Sequence, residues 1–298
     1  MKISDSYSKN ANVVLYRGDC RDLLKQIPNG EAMLIVTSPP YNVGKEYEKK
    51  MPLDEYLKLQ SEVIRECARI LNERGSICWE VGNYIENGEV FPLDILLYNE
   101  FKKHGLKMRN RIIWHFEHGL HCSKRFSGRY ESIIWFTKGD NYVFNLDEIR
   151  VPQKYPGKKY YKGEKRGLPS GNPLGKNPGD IWIMPNVKHN HIEKTIHPCQ
   201  FPVALIERLV LSLTNKGDLV FDPFMGVGTT AVASIIHERR SAGADIVDKY
   251  LQIAKERVEK ASKGMLKTRP MDRPIYEAPK NSPITQNPFN NKTLISYA

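Results

Sequence analysis

Apolar positions along the 298-residue chain follow two alternating rhythms. Short, nearly unbroken apolar runs at 12–16, 32–36, 76–81, 111–116, 132–136, 218–221 and 242–246 read as strands, because a strand covered on both faces has no polar side to show. Between them, apolar residues recur every three or four positions at 21–27, 54–71, 92–104, 202–213, 229–237 and 249–260, which read as helices. In the longest of these, Leu57, Val63, Ile64, Cys67, Ile70 and Leu71 form one stripe, and Asp54 and Glu55 stand where a helix dipole favours carboxylates. Strands alternating with helices of this length predict an α/β fold on a mostly parallel, doubly wound sheet. The rhythm fails from about 140 to 194, where Gly and Pro interrupt it, and again beyond 262, where Pro and Asn recur. The expected organisation is one domain in two halves, 1–139 and 195–262, with an irregular insertion at 140–194 and a loosely ordered tail at 263–298.

Charge gives the insertion a role. Lys and Arg number 45 against 34 Asp and Glu, a formal charge of +11. In residues 150–194 ten basic side chains face only Glu164, Asp180 and Glu193, and the tail from 263 holds the rest of the excess. A localised positive excess suits a polyanion, since each neutralised phosphate releases condensed counterions. Lys154, Lys158, Lys159, Lys162, Lys165 and Arg166 are the candidate contacts, interleaved with Tyr155, Tyr160 and Tyr161, whose rings suit stacking. The competing reading is a solvated loop that only aids solubility. No apolar run approaches ~18 residues, which argues against a membrane span. The first residues lack the apolar core of a signal peptide, so a cytoplasmic protein is expected. Five cysteines without a CxxC pair disfavour both a disulfide framework and a cysteine zinc cage.

Two strand-end turns carry the candidate chemistry. The first, at 222–230, reads Asp-Pro-Phe-Met-Gly-Val-Gly-Thr-Thr and joins a strand to a helix. Glycines there allow a tight turn and close approach to a ligand, and the helix start offers free N–H groups. Asp245 follows Gly226 by 19 residues at the end of the next strand, about where nucleotide-binding folds place an acid on a ribose. No Gly-x-x-x-x-Gly-Lys is present, which excludes a P-loop. Asp222 would repel a pyrophosphate, so a cationic or zwitterionic ligand bearing an adenosine fits better, and S-adenosylmethionine is such a molecule. The second turn is Thr37-Ser38-Pro39-Pro40-Tyr41-Asn42, after the run 33–36. Its prolines fix the backbone and remove two donors, so the Ser38 and Pro39 carbonyls project as acceptors beside the flat Tyr41 ring. A planar base with an exocyclic amine matches that set.

Together these motifs resemble the amino-methylating DNA methyltransferases, which make N4-methylcytosine or N6-methyladenine. The likeness covers nearly all of 12–260 and includes Gly18-Asp19-Cys20, His197-Pro198 with Pro202, and Gly243-Ala244-Asp245. The catalytic motif precedes the cofactor motif with the basic insertion between, an order similar to the permuted beta group, in which the insertion is the target recognition domain. The resemblance implies double-stranded DNA as substrate, S-adenosylmethionine as cofactor, a base flipped from the duplex and direct attack of its amine on the sulfonium methyl. It implies that Ser38, Pro39, Pro40 and Tyr41 hold the amine and the base. Asp222, Phe224, Gly226, Gly228 and Thr229 would lie near the methionine part, Asp245 on the ribose, Asp19 at the adenine end, and His197 and Pro198 beside the methionine. Ser at position 38 points to cytosine N4, because Ser-Pro-Pro-Tyr stands mainly in cytosine enzymes of the family and Asp-Pro-Pro-Tyr mainly in adenine enzymes; adenine N6 is the alternative. A cognate restriction endonuclease is the partner the resemblance suggests, an orphan enzyme the alternative, and the chain is expected to be a monomer or homodimer.

Pro198-Cys199-Gln200 copies the Pro-Cys-Gln of cytosine-C5 methyltransferases, where the cysteine attacks the ring. Here it precedes the cofactor turn, so Cys199 is read as structural. His115, His118 and His121 lack supporting carboxylates or cysteines and read as a solvated loop, with no metal expected. RNA or protein methylation, and DNA binding without catalysis, remain the rival functions; the motif order opposes the first and the intact motifs oppose the second.

Overall fold

The computed structural model describes residues 1–42, 44, 50–119, 121–280 and 282–283. The elements in chain order are β1 (Ile3–Ser4), β2 (Val13–Arg17), α1 (Cys20–Gln26), β3 (Ala32–Thr37), α2 (Leu53–Ile70), β4 (Leu71–Val81), β5 (Asn83–Glu86), β6 (Glu89–Pro92) and α3 (Leu93–Lys103). There follow β7 (Lys107–His115), β8 (Tyr130–Thr137), β9 (Ile181–Ile183), α4 (Val203–Leu213), β10 (Leu219–Asp222), α5 (Thr229–Ile236), β11 (Arg240–Asp245) and α6 (Asp248–Ser262). Each apolar run and each periodic segment forms the element its pattern predicts, with ends shifted by a few residues. Nine strands make one sheet in the order β1-β2-β11-β10-β3-β4-β8-β7-β9. Neighbours from β1 to β4 are parallel, β8 lies antiparallel between β4 and β7, and β9 runs parallel to β7.

Helices cover both faces, which is why the central strands can be apolar throughout. Leu23 of α1, Ile64 of α2 and Leu97 of α3 belong to one apolar layer, while Leu209 of α4, Val232 of α5 and Val258 of α6 belong to the other. The chain leaves β10 through α5 toward β11 on one side and leaves β3 through α2 toward β4 on the other. β10 and β3 are neighbours, so their carboxyl ends flank the point where strand order reverses, the place where open α/β sheets bind ligands.

Four short strands escape the apolar pattern. β5 and β6 pair across Asn87-Gly88, both at positive φ (50° and 84°), the two-residue turn for which Asn-Gly is the sequence signal. β9 corrects the picture of a wholly irregular insertion, because Ile181-Trp182-Ile183 returns to the main sheet as its last strand. Trp182 is buried there, with the Arg208 guanidinium 4.9 Å over its ring. The start of the tail is pinned: the Arg269 backbone N–H donates to Glu193 Oε1 (2.8 Å), whose Oε2 accepts from Val203 N at the start of α4 (2.8 Å). Residues 281 and 284–298 of the expected loose tail lie outside the described residues.

Candidate active site

The ends of β10 and β3 open into a cavity of about 290 Å³, near the lower end of ~300–1,000 Å³ for small-molecule sites. Ser38, Pro39, Pro40, Tyr41, Asp19, His197, Phe224, Gly226, Thr229 and Asp245 all line it. Residues as remote in sequence as Asp19 and Asp245 meet there because parallel strands bring their carboxyl ends to one edge.

The turn after β3 is held from behind. Ser38 Oγ and the Tyr41 hydroxyl are 3.1 Å apart, and that hydroxyl donates to Glu80 Oε2 on β4 at 2.7 Å. Because the Tyr41 proton points at Glu80, the Ser38 hydroxyl is the donor toward Tyr41, and its lone pairs remain to accept a third group. Burial, then the Glu131 and Glu80 charges, hold the Tyr41 hydroxyl well above its ordinary value, so it stays a phenol. Glu131 lies beside Glu80, and burial together with the Glu80 charge raises its carboxyl well above the usual range. Burial and mutual repulsion therefore favour holding a proton between the two carboxyls. Tyr41 also packs on Gly82, where a Cβ would come within 3.1 Å of its ring. Asn42, buried and left-handed at φ 60°, clamps the far end of the loop: its amide donates to Met51 O (2.7 Å) and accepts from Met51 N (2.8 Å).

Asp222 does not line the cavity. It is fully buried and accepts from Thr37 Oγ1 (2.6 Å), Thr230 Oγ1 (2.5 Å) and Phe224 N (3.1 Å). Its two oxygens, which take three donors, tie the two turns together. Burial raises its carboxyl to about 6, with those donors pulling the other way. Gly228, at φ 74°, is likewise a packing residue, because a Cβ there would lie 2.7 Å from the Cβ of Ala254 on α6. Gly226, at φ 52°, does face the cavity and donates its N–H to Asp245 Oδ2 (3.0 Å), while Val247 N donates to Oδ1 (2.8 Å). Both Asp245 oxygens keep lone pairs for further donors.

His197 packs edge-on against Tyr250 with ring centroids 4.7 Å apart. Burial, reinforced by Lys194 and Arg257, lowers its ring to about 4, so it is neutral at pH 7 and does not repel a cation. Pro198 is not among the cavity-lining residues, whereas Cys199 lines the cavity and is exposed, its N–H donating to His197 Nδ1 at 3.2 Å. The stretch before α4 thus runs along the cavity edge and not into a helical layer. Asp19 caps α1 and is committed to Arg21, which it meets through the backbone N–H (2.8 Å) and the guanidinium (2.7 Å). Sequence reading missed Glu80, Glu131 and the α2 residues Tyr56, Gln60 and Val63, which no local motif marks.

Residues 32–256 match the family model described as DNA methylase, of the N6/N4 type. The chain belongs to that family. It is 51% identical over 253 residues to the type II methyltransferase M.BglII of Bacillus subtilis, covering 85% of this chain and 70% of that protein. It is 32% identical over 263 residues to the DNA adenine methyltransferase YhdJ of Escherichia coli K12, covering 86% and 85%. A Thermus thermophilus protein assigned as a DNA modification methylase, in complex with S-adenosyl-L-methionine, superposes with a TM-score of 0.60 at 28% identity over 84% of this chain and 94% of that one. The methylase thus uses S-adenosylmethionine to methylate an amino nitrogen in DNA. Its cavity fits that cofactor: Asp245 keeps lone pairs for further donors, Gly226 adds no side chain, and the neutral His197 adds no positive charge that would repel a sulfonium.

Proposed function

We propose that this methylase modifies the exocyclic N4 of a cytosine flipped out of a specific duplex site, in partnership with a restriction endonuclease for the same site. The observation that carries the reading is the serine at the tip of β3, wired through Tyr41 to Glu80. An exocyclic amine conjugated to its ring is a weak nucleophile. Acceptors on its N–H hydrogens return electron density to nitrogen as positive charge develops. Ser38 Oγ and the Pro39 carbonyl are the acceptors in this proposal, with Pro40 stiffening the turn and Tyr41 as the stacking face. Their rigidity aligns the amine for in-line attack without reorganisation. When bound, S-adenosylmethionine supplies an electrophilic methyl on sulfur. Gly226, Phe224, Thr229 and His197 would surround its methionine part, and Asp245 would accept from its ribose.

Residues 140–194 act as the recognition segment in this reading. Lys154, Lys158, Lys159, Lys162, Lys165 and Arg166 are all exposed, on a lobe closed by backbone pairing of Val151 with Lys176 and of Lys159 with Pro169. Lys124, Arg125, Phe126 and Arg129, in the stretch between β7 and β8, add a second basic surface; Phe126 is fully exposed. Adenine N6 is the second reading, favoured by the likeness to a relative named as an adenine methyltransferase. The test is incubation with unmethylated genomic DNA and deuteromethyl-labelled cofactor, followed by mass spectrometry of the nucleosides. Labelled N4-methyldeoxycytidine is expected. Labelled N6-methyldeoxyadenosine in its place overturns the base assignment.

A further inference from the structure

Gln60 is buried within the methylase, yet among the described residues its carboxamide oxygen accepts no hydrogen bond, and the residue lines the cavity. An unmet buried acceptor is costly, and in a cavity wall it points to a donor that a ligand supplies. Gln60 shares a face of α2 with Val63 and Cys67, at i, i+3 and i+7. On the same helix Glu62 pairs with Arg21 of α1 at 2.8 Å, so α2 packs against the start of α1. The start of α1, where Cys20 stands, lines the same cavity as Gln60 and Asp245. Cys20, Tyr56, Leu59 and Val63 give it largely apolar walls suited to a flat ring. Asp19, the acid nearest in sequence to this end, is already held by Arg21.

We infer that Gln60 reads the amino edge of the cofactor's adenine, its carbonyl accepting from the exocyclic amine and its amide donating to the adjacent ring nitrogen. A carboxamide matches the donor and acceptor pattern of adenine in this bidentate way. The same edge chemistry is present on a flipped target base, and the test separates the two sources. The inference rests on the cofactor and is independent of which base is methylated.

Calorimetric titration of the DNA-free protein with S-adenosylhomocysteine and with its 6-deamino purine analogue, for wild type, Gln60→Leu and Gln60→Glu, decides it. Thermal melts control for folding. Wild type is expected to prefer the amino form about tenfold, the effect of one well-made buried hydrogen bond. Gln60→Leu is expected to bind the amino form about tenfold more weakly and to discriminate little, while Gln60→Glu keeps part of the preference through its acceptor. Equal affinity of wild type and Gln60→Leu for the amino form overturns the inference. If Gln60→Leu then shows a raised KM for DNA, the edge belongs to the target base; if no parameter moves, a water serves the oxygen. Wild type that binds neither ligand would instead count against the cofactor assignment.

Discussion

Asp222 shows how a residue can shape a cavity without lining it. Its carboxylate joins Thr37, just before the Ser-Pro-Pro-Tyr turn, to Thr230 in the first turn of α5, so both site loops share one buried acceptor. Burial favours the protonated form in the fold, at about 6 against an ordinary value near 4. A group raised in this way contributes its stability in full below the unfolded value and loses it as pH rises through the folded one. The stability of wild type relative to Asp222→Asn is therefore expected to fall between about pH 4 and pH 6 and to level off above. Chemical denaturation of both proteins across that range checks it. A flat difference would mean that the three donors outweigh burial and keep Asp222 ionised. None of this was readable from Asp-Pro-Phe alone, because a strand-end carboxylate faces a ligand or the core according to which donors the neighbouring strand supplies.

At the scale of elements, the turn into α5 depends on two glycines for different reasons. Gly226 opens the cavity wall, while Gly228 lets α5 approach α6. Gly228→Ala combines left-handed strain with a 2.7 Å collision at Ala254 and is expected to cost about 2–4 kcal/mol in urea unfolding. Gly30→Ala is the control, since φ is similar (71°) and no atom lies within 4 Å, so it should cost only ~1–2 kcal/mol. Equal costs would remove the close-packing role of Gly228. The helices and principal strands were legible because each buries a face whose period differs, 3.6 against 2. β9 was not, because three residues within a Gly- and Pro-rich stretch carry too little periodicity, and only pairing with β7 makes them a strand.

For the whole molecule, the uneven charge is the proposed means by which the methylase meets DNA. Lys158 and Lys159 sit exposed on the lobe that follows β8, away from both apolar layers. Replacing both with Ala is expected to leave the melting temperature unchanged, to weaken DNA binding, and to lower the slope of log K against log salt by about 2, near 0.9 per phosphate contact. Fluorescence anisotropy with a duplex at several salt concentrations measures it, and an unaltered slope would move the contact surface elsewhere, with the β7–β8 stretch next in line. The amino-acid sequence by itself determined the α/β class, the two strand-end turns and the place of the basic insertion, because these are written in local periodicity, in glycine and proline, and in charge. Only the tertiary structure decided which side chains face the ligand. It turned Asp222 inward, tied Asp19 to Arg21, set Glu80 and Glu131 behind Tyr41, and brought Gln60 to the cavity wall. Those outcomes depend on contacts between strands and helices remote in the chain, and on burial, which no local motif records.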